Sequence, residues 1–446
     1  MKTQKKCLRR VVLFGLISLL TSCTGSPAGD QITDLSEIKV RAGPIHIITA
    51  TDLHYLSPRL NDKGFAIQEV SKLGDGKNLP YSAEIVEAFI DQVIQDKPDA
   101  LILTGDLTFN GEAASHEDLV KLLAKVQEHQ IPVAVLPGNH DIAIPDTFAF
   151  AGNKAIKTQS ISYDRFKELY NSFGYAQARL KDRDSFSYIL EVSEDYWVAM
   201  IDVNTENSLG RISKKTMTWL ESALQQAQLL GKSIISATHQ NIRIHNEFFN
   251  VGFMVANNLE LKALLDKYGV RYNMTGHIHI QHLTLDEKSV NESANGALSV
   301  SPHNFAHVRI DEERNLEYLT EPVDVAGWAK NQNLTDPNLL NFAEFSKAYF
   351  YKVCYDKTKV LLADCKDVTQ AQLNELLEFS SEINVAYYAG NLCVLCQELE
   401  SNPSYLLWKE KAGDFWSWAY LQSYLKYPPK DENRAEFSLL RYTPKQ

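Results

Sequence analysis

Ile45-His46-Ile47-Ile48-Thr49-Ala50-Thr51-Asp52-Leu53-His54 is an apolar run of strand length that ends in two side chains able to bind metal. The pattern returns four times. Ala100–Leu103 leads into Gly105-Asp106, residues 133–136 into Gly138-Asn139-His140-Asp141, Ser233–Ala237 into His239, and residues 270–274 into Gly276-His277-Ile278-His279. A sixth apolar run covers residues 197–201. Helical periodicity fills several of the intervals. Ile85, Val86, Phe89, Ile90, Val93 and Ile94 share one face, and so do Leu119, Leu122, Leu123 and Val126. Residues 216–230 and 259–268 read as two more helices, stopped by Gly231 and Gly269. This alternation predicts an α/β core with buried sheets. In open α/β sheets, sites assemble at the carboxyl ends of strands. Five polar clusters at five such ends can therefore meet in one crevice.

The residue types suit one kind of chemistry. Asp, Asn and His offer oxygen and nitrogen ligands without a thiolate, a set that accepts Mn, Fe or Zn. Asp52 and His54 lie two apart, as do His277 and His279, so extended backbone would turn each pair to one side. A carboxylate such as Asp106 can bridge two ions about 3.5–4 Å apart. Taken singly these motifs are weak, and the ordered set is what carries information.

That set resembles the calcineurin-like metallophosphoesterase superfamily over residues 44–310. The resemblance implies a four-layer α/β/β/α sandwich of two mixed sheets. It implies that Asp52, His54 and His279 hold one divalent ion, that Asn139, His239 and His277 hold a second, and that Asp106 bridges them. It gives His140 the catalytic place near the leaving-group oxygen, with Asp141 orienting it. Two such ions make hydroxide available near neutral pH, and a protonated His140 would add about 10²–10⁴-fold as a general acid. Gly105-Asp106-Leu107-Thr108 and Asn110-Gly111-Glu112 look closest to the bacterial cyclic-nucleotide phosphodiesterase branch. The expected activity is hydrolysis of a small phosphorylated substrate, a cyclic nucleotide first. A phosphomonoesterase, a hydrolase of other nucleotides or cell-envelope phosphodiesters, and a non-catalytic ligand-binding lipoprotein are the rivals. One departure is visible: Gln240 and Asn241 follow His239, where many members carry a second histidine and a proline. That puts neighbouring substrate contacts in doubt and makes His245 a minor rival ligand.

After about Leu319 the character changes. Residues 335–427 have helical spacing and many aromatics, among them Phe342, Phe350, Trp408, Trp416 and Trp418. The expectation is a smaller all-helical domain over 323–446, behind a catalytic domain over 44–322, with the aromatics as its core. The superfamily pattern does not imply this domain. Cys354, Cys365, Cys393 and Cys396 all fall within it, as disulfides, a four-thiolate zinc site or plain thiols. Among other histidines, His46 reads as packed, His116 and His129 as solvated, and His303 as a possible pocket residue.

The N-terminus reads as processing signal rather than fold. Lys2, Lys5, Lys6, Arg9 and Arg10 precede a short apolar run that ends in Leu20-Thr21-Ser22-Cys23. The run is too short to cross a bilayer. Its end resembles a bacterial lipobox, which implies a signal peptide over 1–22, an acylated Cys23 and a tether over 23–43. The expected protein is exported and lipid-anchored on the outer face of the cell membrane. Removing the five positive charges of the signal takes the net charge from −11 to about −16. Such a surface disfavours nucleic-acid polymers. It does not exclude a small anion, because bound cations dominate the field in their own site.

Overall fold

Alternation decides where each residue of strand Ile45–Ala50 faces. Ile45 and Ile47 enter one apolar cluster, and Ile48 and Ala50 another. The first cluster also holds Val198, Met200, Ile235, Ala237, Tyr272 and Met274, so it is the core between two sheets. The second joins Leu101, Leu103, Val133 and Val135 to helices Ser82–Asp96 and Ala113–Glu128. A third cluster packs Trp197 and Ala199 against helices Lys214–Leu229 and Asn258–Lys267. The layers are therefore α/β/β/α, as expected. Each fully buried Val, Leu or Ile contributes about 1.5–3 kcal/mol, so these three clusters dominate stability. The computed structural model describes residues 43–206, 208–395, 399–425 and 430–440. The segment expected to be a signal peptide, Cys23 and nearly all of the expected tether lie outside them. Among the described residues no helix is long and apolar enough to cross a membrane.

Both sheets are mixed. The first runs Arg434–Ser438, Asn315–Pro322, Asn304–Ile310, Ile45–Ala50, Ala100–Leu103, Val133–Val135, with its last three strands parallel. The second runs His282–Thr284, Asn291–Ala294, Tyr272–Thr275, Ser233–Ala237, Tyr196–Met200, Tyr188–Glu191, Leu180–Lys181. Its four central strands are parallel.

The C-terminal region departs from expectation in one way. Beyond its described helices, which run to Leu425, Arg434–Ser438 is a strand that extends the first sheet beside Asn315–Pro322. Apolar packing continues across 322/323. Val325, Ala329, Leu339 and Phe342 share one cluster with Ile85 and Phe89 of helix Ser82–Asp96. Further on, Leu376, Leu377 and Trp408 pack against Ile278 and Ile280, inside and just after the Gly-His-x-His motif. The described residues form one compact unit. Cys354, Cys365 and Cys393 are free thiols, and Cys396 lies outside the described residues. Among the described residues no cysteine joins a metal-competent group.

Candidate active site

Five strand ends bring their loops together, and backbone hydrogen bonds lace them. Asp52 N–H donates to Gly105 O at 3.0 Å, His54 N–H to Asp106 O at 3.0 Å, Gly276 N–H to His239 O at 3.1 Å and Leu298 N–H to Thr51 O at 3.0 Å. Two glycines permit the close approach. A Cβ on Gly138 would sit 2.1 Å from Asp106 Oδ1, and one on Gly276 would sit 1.8 Å from Thr51 Oγ1. The expectation of extended backbone at the ligand triplets does not hold. Asp52, His54, Asp106, His277 and His279 all have positive φ, between 42° and 71°. Left-handed backbone costs a non-glycine residue about 1–3 kcal/mol, and such residues concentrate at functional sites.

The side chains form two groups around one carboxylate. In the first, His54 Nε2 lies 3.3 Å from His279 Nε2, and Asp52 Oδ1 lies 3.2 Å from His279 Nε2. Asp106 Oδ2 completes it, 3.7 Å from His54 Nε2. In the second, Asp106 Oδ1 and Asn139 Oδ1 lie 3.4 Å and 3.1 Å from His239 Nε2, and the ring of His277 is 4.9 Å from that of His239. Asp52, His54 and His239 are wholly buried and Asp106 nearly so. Asp52 Oδ1 and His54 Nδ1 have no hydrogen-bond partner. Buried polar atoms are rarely left so, and a bound cation would satisfy the carboxylate. The residues present therefore fit two divalent ions, one per group.

Neighbouring groups fix which nitrogen of each ring faces inward. Thr104 O takes His239 Nδ1 at 2.8 Å, Asp75 Oδ2 takes His279 Nδ1 at 3.2 Å, and Gly252 O takes His277 Nε2 at 3.1 Å. Lys77, itself nearly buried, holds both oxygens of Asp75 at 2.8 and 2.9 Å. The charges mirror a cation site. Burial alone would lower His239 and His279, but Asp106 beside the first and Asp52 beside the second hold both up to about 9. Burial, with the neighbouring His239, pushes His277 down to about 4 against the pull of Asp106 and Asp52. Asp106 stays well below the usual carboxylate range against its burial, because His239 and His140 surround it.

Asp141 does not orient His140. Its buried carboxylate accepts the N–H groups of Leu107, Thr108 and Gly138 at 3.1, 2.9 and 2.7 Å, and so ties two loops together. Asn110 does the orienting: its Oδ1 lies 2.8 Å from His140 Nδ1. Asn110 is held in turn through its N–H by Glu112, whose carboxyl burial pushes up to about 7. Burial also lowers His140, against the pull of Asp106. His116 is not solvated but fully buried, joining Thr108 Oγ1, the Asp141 carbonyl and Tyr170 Oη. His245 is no ligand here, since it bonds Glu292 and His282. His303 is buried, packs on Phe342 with ring centroids 5.1 Å apart, and its Nδ1 lies 2.9 Å from the Leu298 carbonyl. Asp75 and Lys77 carried no sequence signal beyond a glycine between them.

Sandwich and site together define a metal-dependent phosphoester hydrolase. The chain belongs to the calcineurin-like phosphoesterase family, whose model matches residues 45–281. Residues 324–431 match the C-terminal domain of cyclic nucleotide phosphodiesterase. A probable glycerophosphodiester phosphodiesterase of Arcobacter nitrofigilis is 27% identical over 251 residues, 54% of this chain and 78% of that one. A 3′,5′-cyclic-nucleotide phosphodiesterase of Nostoc sp. is 26% identical over 239 residues, 53% of this chain and 72% of that one. Among solved structures, a dimetal phosphatase from Danio rerio is similar at a TM-score of 0.46 and 12% identity, over 63% of this chain and all of that one.

Proposed function

We propose that the chain is a phosphodiesterase of cyclic nucleotides. The observation that carries the hydrolytic centre is the placement of Asp106, whose two oxygens face different ligand groups. Asp52, His54 and His279 would hold one divalent ion, Asn139, His239 and His277 would hold the other, and Asp106 would be shared. Bound there, Mn, Fe or Zn ions supply charge neutralisation for a phosphoryl group and acidify water. The chain's own residues do the rest. The interlaced loops fix the ligand atoms before substrate arrives, so little reorganisation accompanies the reaction. Asn110 fixes His140 through Nδ1, which leaves Nε2 to exchange a proton with the reacting groups. The match of residues 324–431 supports a cyclic nucleotide over other diesters. Protein loaded with each metal in turn should show its highest kcat/KM on a 3′,5′-cyclic nucleotide. The panel adds 2′,3′-cyclic nucleotides, glycerophosphodiesters, bis(4-nitrophenyl) phosphate and 4-nitrophenyl phosphate. A higher value on any of these would replace the reading.

The same reading has the enzyme exported and held at the outer membrane face by an acylated Cys23, a view supported by residues 1–23 alone. Cys23→Ser should then move the protein from the membrane to the soluble fraction. An unchanged distribution would end that part of the proposal.

A further inference from the structure

We propose that the helical C-terminal region builds a nucleobase-binding chamber against the metal-site loops. The proposal rests on the cyclic-nucleotide reading and deepens it. A cavity of about 240 Å³ lies among helices Phe342–Leu361, Gln370–Tyr388 and Trp416–Leu425. Phe249, Phe350, Tyr388, Trp416, Tyr420 and Asp75 all line it. Two of these walls lead to the candidate ligands. Asp75 touches His279 Nδ1 at 3.2 Å. Phe249 packs on Phe253, with ring centroids 4.9 Å apart, and Phe253 lies 5.5 Å from His277. Each histidine of Gly276-His277-Ile278-His279 is thus within one or two side chains of the cavity. The loop that carries Asp75 is braced by the same helices. The ring of Phe350 occupies the space a Cβ on Gly76 would need, at 2.3 Å.

The lining suits a flat, aromatic guest with hydrogen-bonding edges. Aromatic faces stack on bases of any identity. Trp416 lies parallel to Tyr420, 1° between planes, with Phe248 in T-shaped contact at 5.6 Å, and is 56% exposed. Ser417 also lines the cavity, and its buried hydroxyl has no hydrogen-bond partner. A ring nitrogen or carbonyl of a base would provide one. The size argues the same way. Sites that enclose a drug-sized ligand run to about 300–1,000 Å³. This chamber is smaller, sufficient for a base while the sugar and phosphate stay outside, toward Asp106. The aromatic residues expected to be plain core divide accordingly: Trp408 is core, whereas Phe350 and Trp416 wall a cavity.

The test uses the full chain in two forms. In chelator-treated protein, adenosine binding is measured by calorimetry. In metal-loaded protein, kcat/KM for 3′,5′-cyclic AMP is divided by that for glycerophosphoethanolamine, a diester without an aromatic group. Trp416→Leu and Ser417→Ala are compared with the wild type. Both sites tolerate the change, since Trp416 is largely exposed and Ser417→Ala removes one atom. Trp416→Leu should weaken adenosine binding and lower the ratio by roughly 5- to 100-fold, the loss of one base–aromatic stack, mostly through KM. Ser417→Ala should lower both less, and in the same direction. If the wild type ignores adenosine, or if both variants keep the wild-type ratio, the chamber is refuted while cyclic-nucleotide hydrolysis still stands on its own assay. If adenosine binds and Trp416→Leu abolishes it, while no cyclic nucleotide is cleaved, the chamber stands and the substrate reading falls.

Discussion

Asp106→Asn keeps the shape of the shared carboxylate and removes its charge. The two oxygens of Asp106 face different groups, Oδ2 at 3.7 Å from His54 Nε2 and Oδ1 at 3.4 Å from His239 Nε2. In the metal-free protein, burial drives His239 down, and Asp106 is the foremost neighbour holding it up to about 9. Without that charge, Asp52 and the Thr104 carbonyl are the supports that remain, and burial should win. His239 should then titrate below its ordinary 6.5. A fall of more than two pKa units corresponds to roughly 3 kcal/mol at about 1.36 kcal/mol per unit. Nitrogen-detected NMR titration of His239 in chelator-treated protein reads this directly. Metal content and kcat/KM are measured on the same preparations. Both metal equivalents and nearly all activity should be lost. Asp52→Asn is the control, because Asp52 faces one group only and should cost one equivalent. An Asp106→Asn protein that keeps two equivalents at wild-type affinity, or keeps His239 charged at pH 8, would refute the bridging role.

Three other outcomes follow from the same geometry. His140→Ala should cost about 10²–10⁴-fold in turnover with metal content unchanged; Asn110→Ala, which only frees the ring, should cost less, and wild-type turnover in it would show that Asn110 does not position His140. Metal uptake should release protons, because His239 and His279 keep theirs below about 9 and a cation must displace them. Apparent affinity should therefore rise with pH from the ordinary 6.5 toward 9, and the stability these two protons lend the metal-free protein, full below 6.5, should disappear over the same window; uptake with no pH dependence in calorimetry would contradict this. Gly276→Ala places a Cβ 2.5 Å from Asp52 Oδ2, so it should lower stability by about 1–3 kcal/mol and weaken the first metal group before the second. Thermal melts with and without metal, together with metal content, separate the two effects.

Much of the catalytic half was legible because its central strands are apolar on both faces. Ile45–Ala50, Ala100–Leu103 and Ser233–Ala237 fall where the apolar runs stand, and the helices end near the glycines that stop them. Asn291–Ala294 was not legible. It reads Asn-Glu-Ser-Ala, yet all four residues are buried, because Glu292 satisfies the N–H groups of Ile242 and Arg243 and the amide of Asn273. Tertiary partners made a strand that pattern could not announce. Arg434–Ser438 was hidden for a related reason, since its place is fixed by the free edge of Asn315–Pro322 rather than by its own period. The residues that cluster in two metal-competent groups were legible as an ordered set. The residues that orient them were not, because Asn110, Asp75 and Lys77 act through distances that only the folded loops create.

Backbone conformation explains why spacing alone misplaced the side chains of the triplets. Extended Asp-x-His would send both side chains to one face, but neighbouring side chains on one face of a strand diverge along it by about two residue rises, near 7 Å. Donor atoms about 3–4 Å apart need the chain to turn. Left-handed residues at Asp52 and His54, and again at His277 and His279, supply that turn twice over. At about 1–3 kcal/mol apiece, five such residues would unravel an isolated loop. Here three of them are pinned by a neighbouring loop, Asp52 by Gly105, His54 by Asp106 and His277 by the Asp52 carboxylate. The two sheets thus do more than carry the ligands. Their packed core supplies the stability against which the strained loops are held, and that is why the ligand set is scattered over five strand ends rather than gathered in one segment.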